Sequence, residues 1–164
     1  MEEPHVPQAG EVAPDFALPD ADGLVHHLAD QHGHWTVVYF YPADDTPGCT
    51  TEACGFRDAN VVIAEHGATV WGISPQGVDS KAAFRDKFDL TFPLLADVGH
   101  HVAEAYGCWV ERTNYGKTYM GIARRTFLVD PEGRVAQVWL KVKPEGHAED
   151  VLATLEAAQA RRPA

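Results

Sequence analysis

Residues 35–41 (WTVVYFY) form an unbroken apolar and aromatic run that stops at Pro42, and residues 68–74 (ATVWGIS) form a second one. The first is too short for a helix with its own caps, and both suit strands buried on two faces. Between them, beyond residues 42–48, the apolar spacing is helical and ends at Gly67, a suitable C-cap. A strand, a helix and a second strand in that order define a crossover unit with parallel strands. This unit places residues 35–41 at the centre of a sheet.

The remaining segments extend the same alternation. Pro14 and Pro19 flank Phe16, and Asp22-Gly23 offers a tight turn before Leu24-Val25, which predicts an N-terminal hairpin. Residues 80–88 carry Ala83, Phe84 and Phe88 on helical spacing, residues 92–96 read as a short strand, and residues 101–106 as a short helix. Residues 125–130 and 135–140 are two strands reversed across Pro131-Glu132-Gly133, hence antiparallel. Ala148, Val151, Leu152 and Leu155 make one stripe, so the last element is a helix packed on the sheet. The expectation is an α/β, thioredoxin-like sandwich, a central mixed sheet flanked by helices with an N-terminal hairpin, as one domain over residues 1–164. Both ends are expected to fray, notably 161–164.

A chain of 164 residues that is 45% hydrophobic and 23% charged can bury one substantial core. Its net charge of -11 repels phosphate backbones and anionic headgroups, which argues against nucleic acid and membrane partners. The opening Met1-Glu2-Glu3-Pro4 lacks the basic and apolar regions of a secretory signal, and there is no stretch of 18 apolar residues. A soluble cytoplasmic enzyme is expected. In such a compartment the three cysteines are core filler, metal ligands or reactive thiols rather than a disulfide framework. The nine histidines, including His26-His27 and His100-His101, lack zinc-site spacing and are explained as solvated loop and helix positions, so no metal is expected. Without a glycine-rich nucleotide fingerprint, neither flavin nor nicotinamide is supported, and no cofactor is expected.

The chemistry concentrates in residues 42–54, between the central strand and its helix. Thr46 followed by Pro47 is an N-cap and first-position signature: the hydroxyl can satisfy free amides, and proline has no amide to leave unpaired. Cys49 then falls in the first turn, where unpaired N–H groups and the positive end of the helix dipole stabilise a thiolate over a thiol. Taken alone, Thr46 and Pro42 also fit plain capping and loop rigidity, and Arg124 fits a surface arginine paired with a carboxylate.

Pro42, Thr46 and Cys49 match proline, three residues, threonine or serine, two residues, cysteine, and this segment closely resembles the active-site pattern of the peroxiredoxins. The longer run 40–58, with four residues between Cys49 and Cys54, is similar to the bacterioferritin-comigratory, or Q-type, branch, as is the stretch 115–130. The resemblance implies the peroxiredoxin elaboration of the thioredoxin fold and makes Arg124, not Arg125, the active-site arginine. It also implies reduction of hydrogen peroxide and organic hydroperoxides by Cys49, with Thr46, the Cys49 amide and Arg124 orienting the peroxide and Pro42 shielding the sulfur.

Attack leaves Cys49 as a sulfenic acid, for which Cys54 is the candidate partner in an intramolecular disulfide. Five residues on a helix span roughly 7.5 Å of rise and about 140° of rotation, beyond the roughly 7 Å Cα limit of a disulfide, so the helix must unwind locally. Gly55 would ease this. Recycling then falls to a thioredoxin or similar dithiol reductant, because the chain has no Cys-x-x-Cys of its own. Relatives in this branch are commonly monomers. Cys108 reads as buried filler, with a reserve resolving role left open. The rivals are a one-cysteine peroxidase, a thiol-disulfide oxidoreductase and a non-catalytic binding domain.

Overall fold

A computed structural model describes residues 4–161. The expected fraying concerns residues 1–3 and 162–164, which lie outside the described residues, and residue 161, which directly follows the last helix.

The chain opens with the expected hairpin, β1 (Ala17–Pro19) antiparallel to β2 (Val25–His27). The central strand β3 (Trp35–Phe40) is buried at all six positions, as an apolar run without alternation requires. It leads through a loop into α1 (Pro47–Glu65), then β4 (Ala68–Ser74), α2 (Val78–Phe88), β5 (Leu94–Ala96) and α3 (His101–Ala105). A second hairpin, β6 (Trp109–Asn114) and β7 (Lys117–Ile122), follows, then β8 (Arg125–Val129), β9 (Val135–Trp139) and α4 (His147–Ala160).

The main sheet has the order β5-β4-β3-β8-β9. β3 runs parallel to β4 and antiparallel to β8, and β9 returns antiparallel to β8 across the Pro131 turn, where Gly133 adopts a φ of +81°. The sheet is therefore mixed and flanked by helices, as the alternation of elements predicts.

The two-residue period of β3 divides the interior. Val37 and Tyr39 face a core built with Phe56 and Ile63 of α1, Phe84 of α2, and Val151 and Leu155 of α4. Val38 and Phe40 face the opposite core with Trp71, Tyr106, Phe127 and Val102 of α3. Cys49 belongs to the first cluster and Cys108 to the second, so the sheet lies between them.

Among the described residues no helix is long and apolar enough to cross a membrane, and no cluster of three metal-ligating side chains exists. The β6–β7 hairpin was not anticipated as an element. Most of its residues are exposed, and its turn is made by Tyr115 and Gly116, both at positive φ.

Gly72 of β4 lies directly under Tyr39, where an added Cβ would come within 2.7 Å of the tyrosine ring and hydroxyl. Gly72→Ala is expected to destabilise the fold by about 1–3 kcal/mol through overpacking. Urea unfolding checks this, with a lowered midpoint at unchanged slope as the expected result.

Candidate active site

Strand register brings the site together. Phe40, the last residue of β3, pairs with Arg125, the first of β8, because the two strands are antiparallel. The loop leaving β3 and the residues entering β8 must then share one end of the sheet. Consecutive residues of extended chain point to opposite sides. Arg124 accordingly turns toward α1, while the Arg125 side chain donates to the Gly107 carbonyl on the other side.

The loop between Phe40 and α1 is fixed from below by a buried ion pair. Asp44 accepts hydrogen bonds from Lys81 Nζ at 3.0 and 3.1 Å, from the Tyr41 hydroxyl at 2.5 Å and from the Ser80 hydroxyl at 2.7 Å. The side chains of Lys81 and Asp44 are 0% and 3% exposed. Burial pushes the Lys81 ammonium below its usual range, against the pull of the Asp44 carboxylate. Gln76 adds two contacts: its Oε1 accepts the Asp44 amide and its Nε2 donates to the Pro42 carbonyl. Asp45 then turns the chain at a φ of 56° into the extended N-cap Thr46.

Thr46 occupies the expected cap position, and its carbonyl accepts the Thr50 amide at 2.8 Å. Its hydroxyl departs from expectation. Oγ1 makes no bond to the free helix amides and donates to the Ala43 carbonyl at 2.9 Å. With its hydrogen given to this carbonyl, the hydroxyl oxygen keeps lone pairs able to accept.

Pro47 and Gly48 start α1, and Cys49 follows in its first turn, which contains no acidic residue to compete for the helix dipole. Cys49 is 1% exposed. Arg124 Nη2 donates to its sulfur at 3.4 Å, and Nη1 to Glu52 Oε1 at 2.6 Å. The absence of a side chain at Gly48 eases this approach: a Cβ there would lie 3.2 Å from Arg124 Nη2 and press on the guanidinium. Burial works against the Arg124 charge, but Glu52 and the Cys49 sulfur outweigh it and raise its pKa.

Glu52 is a site residue that sequence reasoning missed. Its position three after Cys49, on the inward face shared with Cys49, Ala53 and Phe56, was the available signal. The carboxylate is fully buried, and burial pushes it up to about 7 in spite of Arg124.

Cys54 is half-buried in the unbroken α1 helix, and all three cysteines are free thiols. Cys54 therefore remains a helical turn and more from Cys49 in this state. Cys108 is buried on the far side of the sheet, and burial pushes its thiol up to about 12, which fits the filler reading. Pro42 lines a cavity of about 310 Å³ with Pro75, Trp109 and Met120; neither Cys49 nor Arg124 lines it.

The histidines are not all solvated. His147 is 4% exposed at the start of α4, its ring bonded to the Thr126 hydroxyl at 2.8 Å and set edge-on to Phe56 and Trp139. Burial, with the Arg124 charge adding to it and Asp150 opposing, lowers its pKa to about 4. A histidine buried neutral stabilises the fold above its unfolded pKa near 6.5, and that contribution disappears as pH falls through about 4. The urea midpoint should drop across this window in the wild type and drop less in His147→Gln.

Known proteins match the chain along most of its length. A model of the AhpC/TSA family matches residues 9–138. Peroxiredoxin Bcp of Bacillus subtilis (strain 168) is 46% identical over 149 residues, 91% of this chain and 95% of that protein. Peroxiredoxin Bcp of Escherichia coli (strain K12) is 43% identical over 145 residues, 88% and 93% respectively. Among solved structures, the bacterioferritin comigratory protein of Xanthomonas campestris, described for its alkyl peroxide reduction activity, superposes with a TM-score of 0.83 at 42% identity, covering 87% of this chain and 90% of that one. A cysteine-to-serine mutant of PrxQ from Xylella fastidiosa gives a TM-score of 0.89 at 34% identity, covering 94% and 98%.

Proposed function

Because the chain belongs to the peroxiredoxins of the AhpC/TSA family, on the Bcp and PrxQ branch with its thioredoxin-like fold, and so is a thiol peroxidase, we propose that Cys49 is the sulfur that attacks the peroxide and Cys54 the thiol that resolves it. The observation that carries this reading is the Arg124 guanidinium 3.4 Å from a sulfur held in the first turn of α1.

The Cys49 thiolate attacks one peroxide oxygen. A sulfur–oxygen bond forms as the oxygen–oxygen bond breaks, and the departing hydroxide or alkoxide takes a proton from water. Negative charge thus moves from sulfur to the leaving oxygen, and donors already aimed at that place lower the barrier without reorganising. Arg124 and the free amides of the helix opening supply them. Thr46 Oγ1, whose hydrogen is engaged by Ala43, is oriented to accept from the peroxide O–H. Pro42 shields the sulfur from bulk water.

The Cys49 sulfenic acid is then attacked by the Cys54 sulfur, forming the disulfide and releasing water. Local unwinding of α1 must precede this step, because a continuous helix holds the two Cα atoms too far apart. A thioredoxin-type dithiol restores both thiols by exchange. Hydrogen peroxide and organic hydroperoxides both fit the reaction, which needs only the O–O group at the sulfur.

Stopped-flow oxidation separates the assignments. Cys49→Ser should abolish fast reaction with hydrogen peroxide. Cys54→Ser should oxidise at the wild-type rate yet fail to turn over with thioredoxin. Arg124→Ala should slow the first oxidation by about 10²–10³-fold, the usual loss for a transition-state donor. Fast oxidation in Cys49→Ser, or undiminished thioredoxin turnover in Cys54→Ser, would overturn the reading.

A further inference from the structure

Glu52 stands between Cys49 and Cys54 in the sequence, on the buried face of α1. Oε1 is held by Arg124 at 2.6 Å, while Oε2, equally buried, has no hydrogen-bond partner. Arg124 also reaches the Cys49 sulfur, so one guanidinium serves both a sulfur and a carboxylate. A carboxylate out of water with one bare oxygen is costly.

The surrounding groups offer little compensation. From β3, Tyr39 is neutral, since burial, with Glu52 adding to it, holds its phenol well above the usual range. From α4, His147 is neutral except in acid. The Lys81 charge is taken up by Asp44. Arg124 alone is the cation hydrogen-bonded to Glu52 among the described residues.

We propose that Glu52 is a positioning residue for the resolving step: its bond to Arg124 ties down the opening turns of α1, and its release to water is coupled to the unwinding that carries Cys54 to Cys49. The proposal rests on the disulfide mechanism above. No unwinding between residues 49 and 54 can leave Glu52 in place, because it lies inside the segment that must lose its helical form.

The proton follows from the same geometry. The packed carboxyl holds its proton up to about 7, whereas an exposed one ionises at the ordinary 4.5. The folded form is thus favoured at low pH and loses that advantage as pH rises through about 7, so unwinding becomes easier across this window. For an unwinding pre-equilibrium, this group alone raises the resolving rate roughly twenty-fold between pH 5.5 and 7.5.

The test is a single-turnover measurement of disulfide formation after a peroxide pulse, from pH 5 to 8, in wild type and Glu52→Gln. Glutamine keeps an oxygen for Arg124 but carries no titratable proton. Ionisation of Cys54 affects both proteins, so the expected result is a profile roughly twenty-fold flatter in Glu52→Gln over pH 5.5–7.5, and superposable profiles would overturn the proposal. A second measurement needs no variant: in wild-type enzyme, the ¹³C carboxyl resonance of Glu52 should titrate near neutrality in the reduced form and in the ordinary glutamate range in the disulfide form. Equal midpoints in both forms would refute it. A failure of the underlying mechanism is distinguishable, because it would appear as absent Cys49 oxidation or absent Cys49–Cys54 disulfide at every pH.

Discussion

The antiparallel pairing of β3 with β8 governs everything that happens at Cys49. With Phe40 opposite Arg125, the exit of one strand and the entry of the other meet at one sheet end, and the residue just before β8 is directed at the helix that follows β3. A shift of one residue in this register would exchange Arg124 and Arg125 between the two sides. Arg124 would then lie on the Gly107 carbonyl side, away from the sulfur and the Glu52 carboxyl that it now bridges. Burial of β3 on both faces fixes the register, since a slip would exchange Val37 and Tyr39 with Val38 and Phe40 between two differently shaped cores.

Two ion pairs stand on that frame, and of their four side chains only Arg124 keeps appreciable contact with water. Asp44–Lys81 anchors the loop to the β4–α2 side, and Glu52–Arg124 links the start of α1 to the start of β8. Buried pairs of this kind contribute little net stability, because desolvation consumes most of the attraction. Their value is positional: each closes the distance between segments far apart in sequence. The Asp44 pair is well supplied with donors and rigid. The Glu52 pair has an unpartnered oxygen and is the weaker of the two.

Much of this was legible in the sequence. Strands β3 and β4 were marked by continuous apolar runs, the hairpins β1–β2 and β8–β9 by Asp22-Gly23 and Pro131-Glu132-Gly133, and the start of α1 by Thr46-Pro47. Cys49 in the first turn followed from that start. Choosing Arg124 over Arg125 needed the family resemblance, because side-chain direction depends on where β8 begins, and a boundary cannot be read to one residue. The Asp44–Lys81 pair was out of reach: 37 residues separate the partners, and only the completed sheet brings them together. The β6–β7 hairpin escaped because few of its side chains are buried, so no apolar alternation marks it. His147 looked like one more surface histidine until the packing of α4 on Phe56 and Trp139 enclosed it.

The helix α1 is under two opposed demands. The proposed attack on peroxide requires its first turn intact, since the free amides and Arg124 reach the sulfur only from that geometry. The proposed resolution by Cys54 requires the same turns to open. A helix held solely by deep apolar packing would meet the first demand and fail the second, because Phe56 and Ile63 have nowhere else to go. The division along α1 answers this. Beyond Ala53 its hold on the core comes from Phe56 and Ile63, while the polar ties, Arg124 to Glu52 and Arg124 to the sulfur, lie before it, beside the small buried side chain of Cys49. Polar ties can be exchanged for water at small net cost, whereas buried aromatic rings cannot. In the portion of the helix that the proposed resolution moves, apolar burial is limited to the small side chains of Cys49 and Ala53, beside polar ties that water can replace.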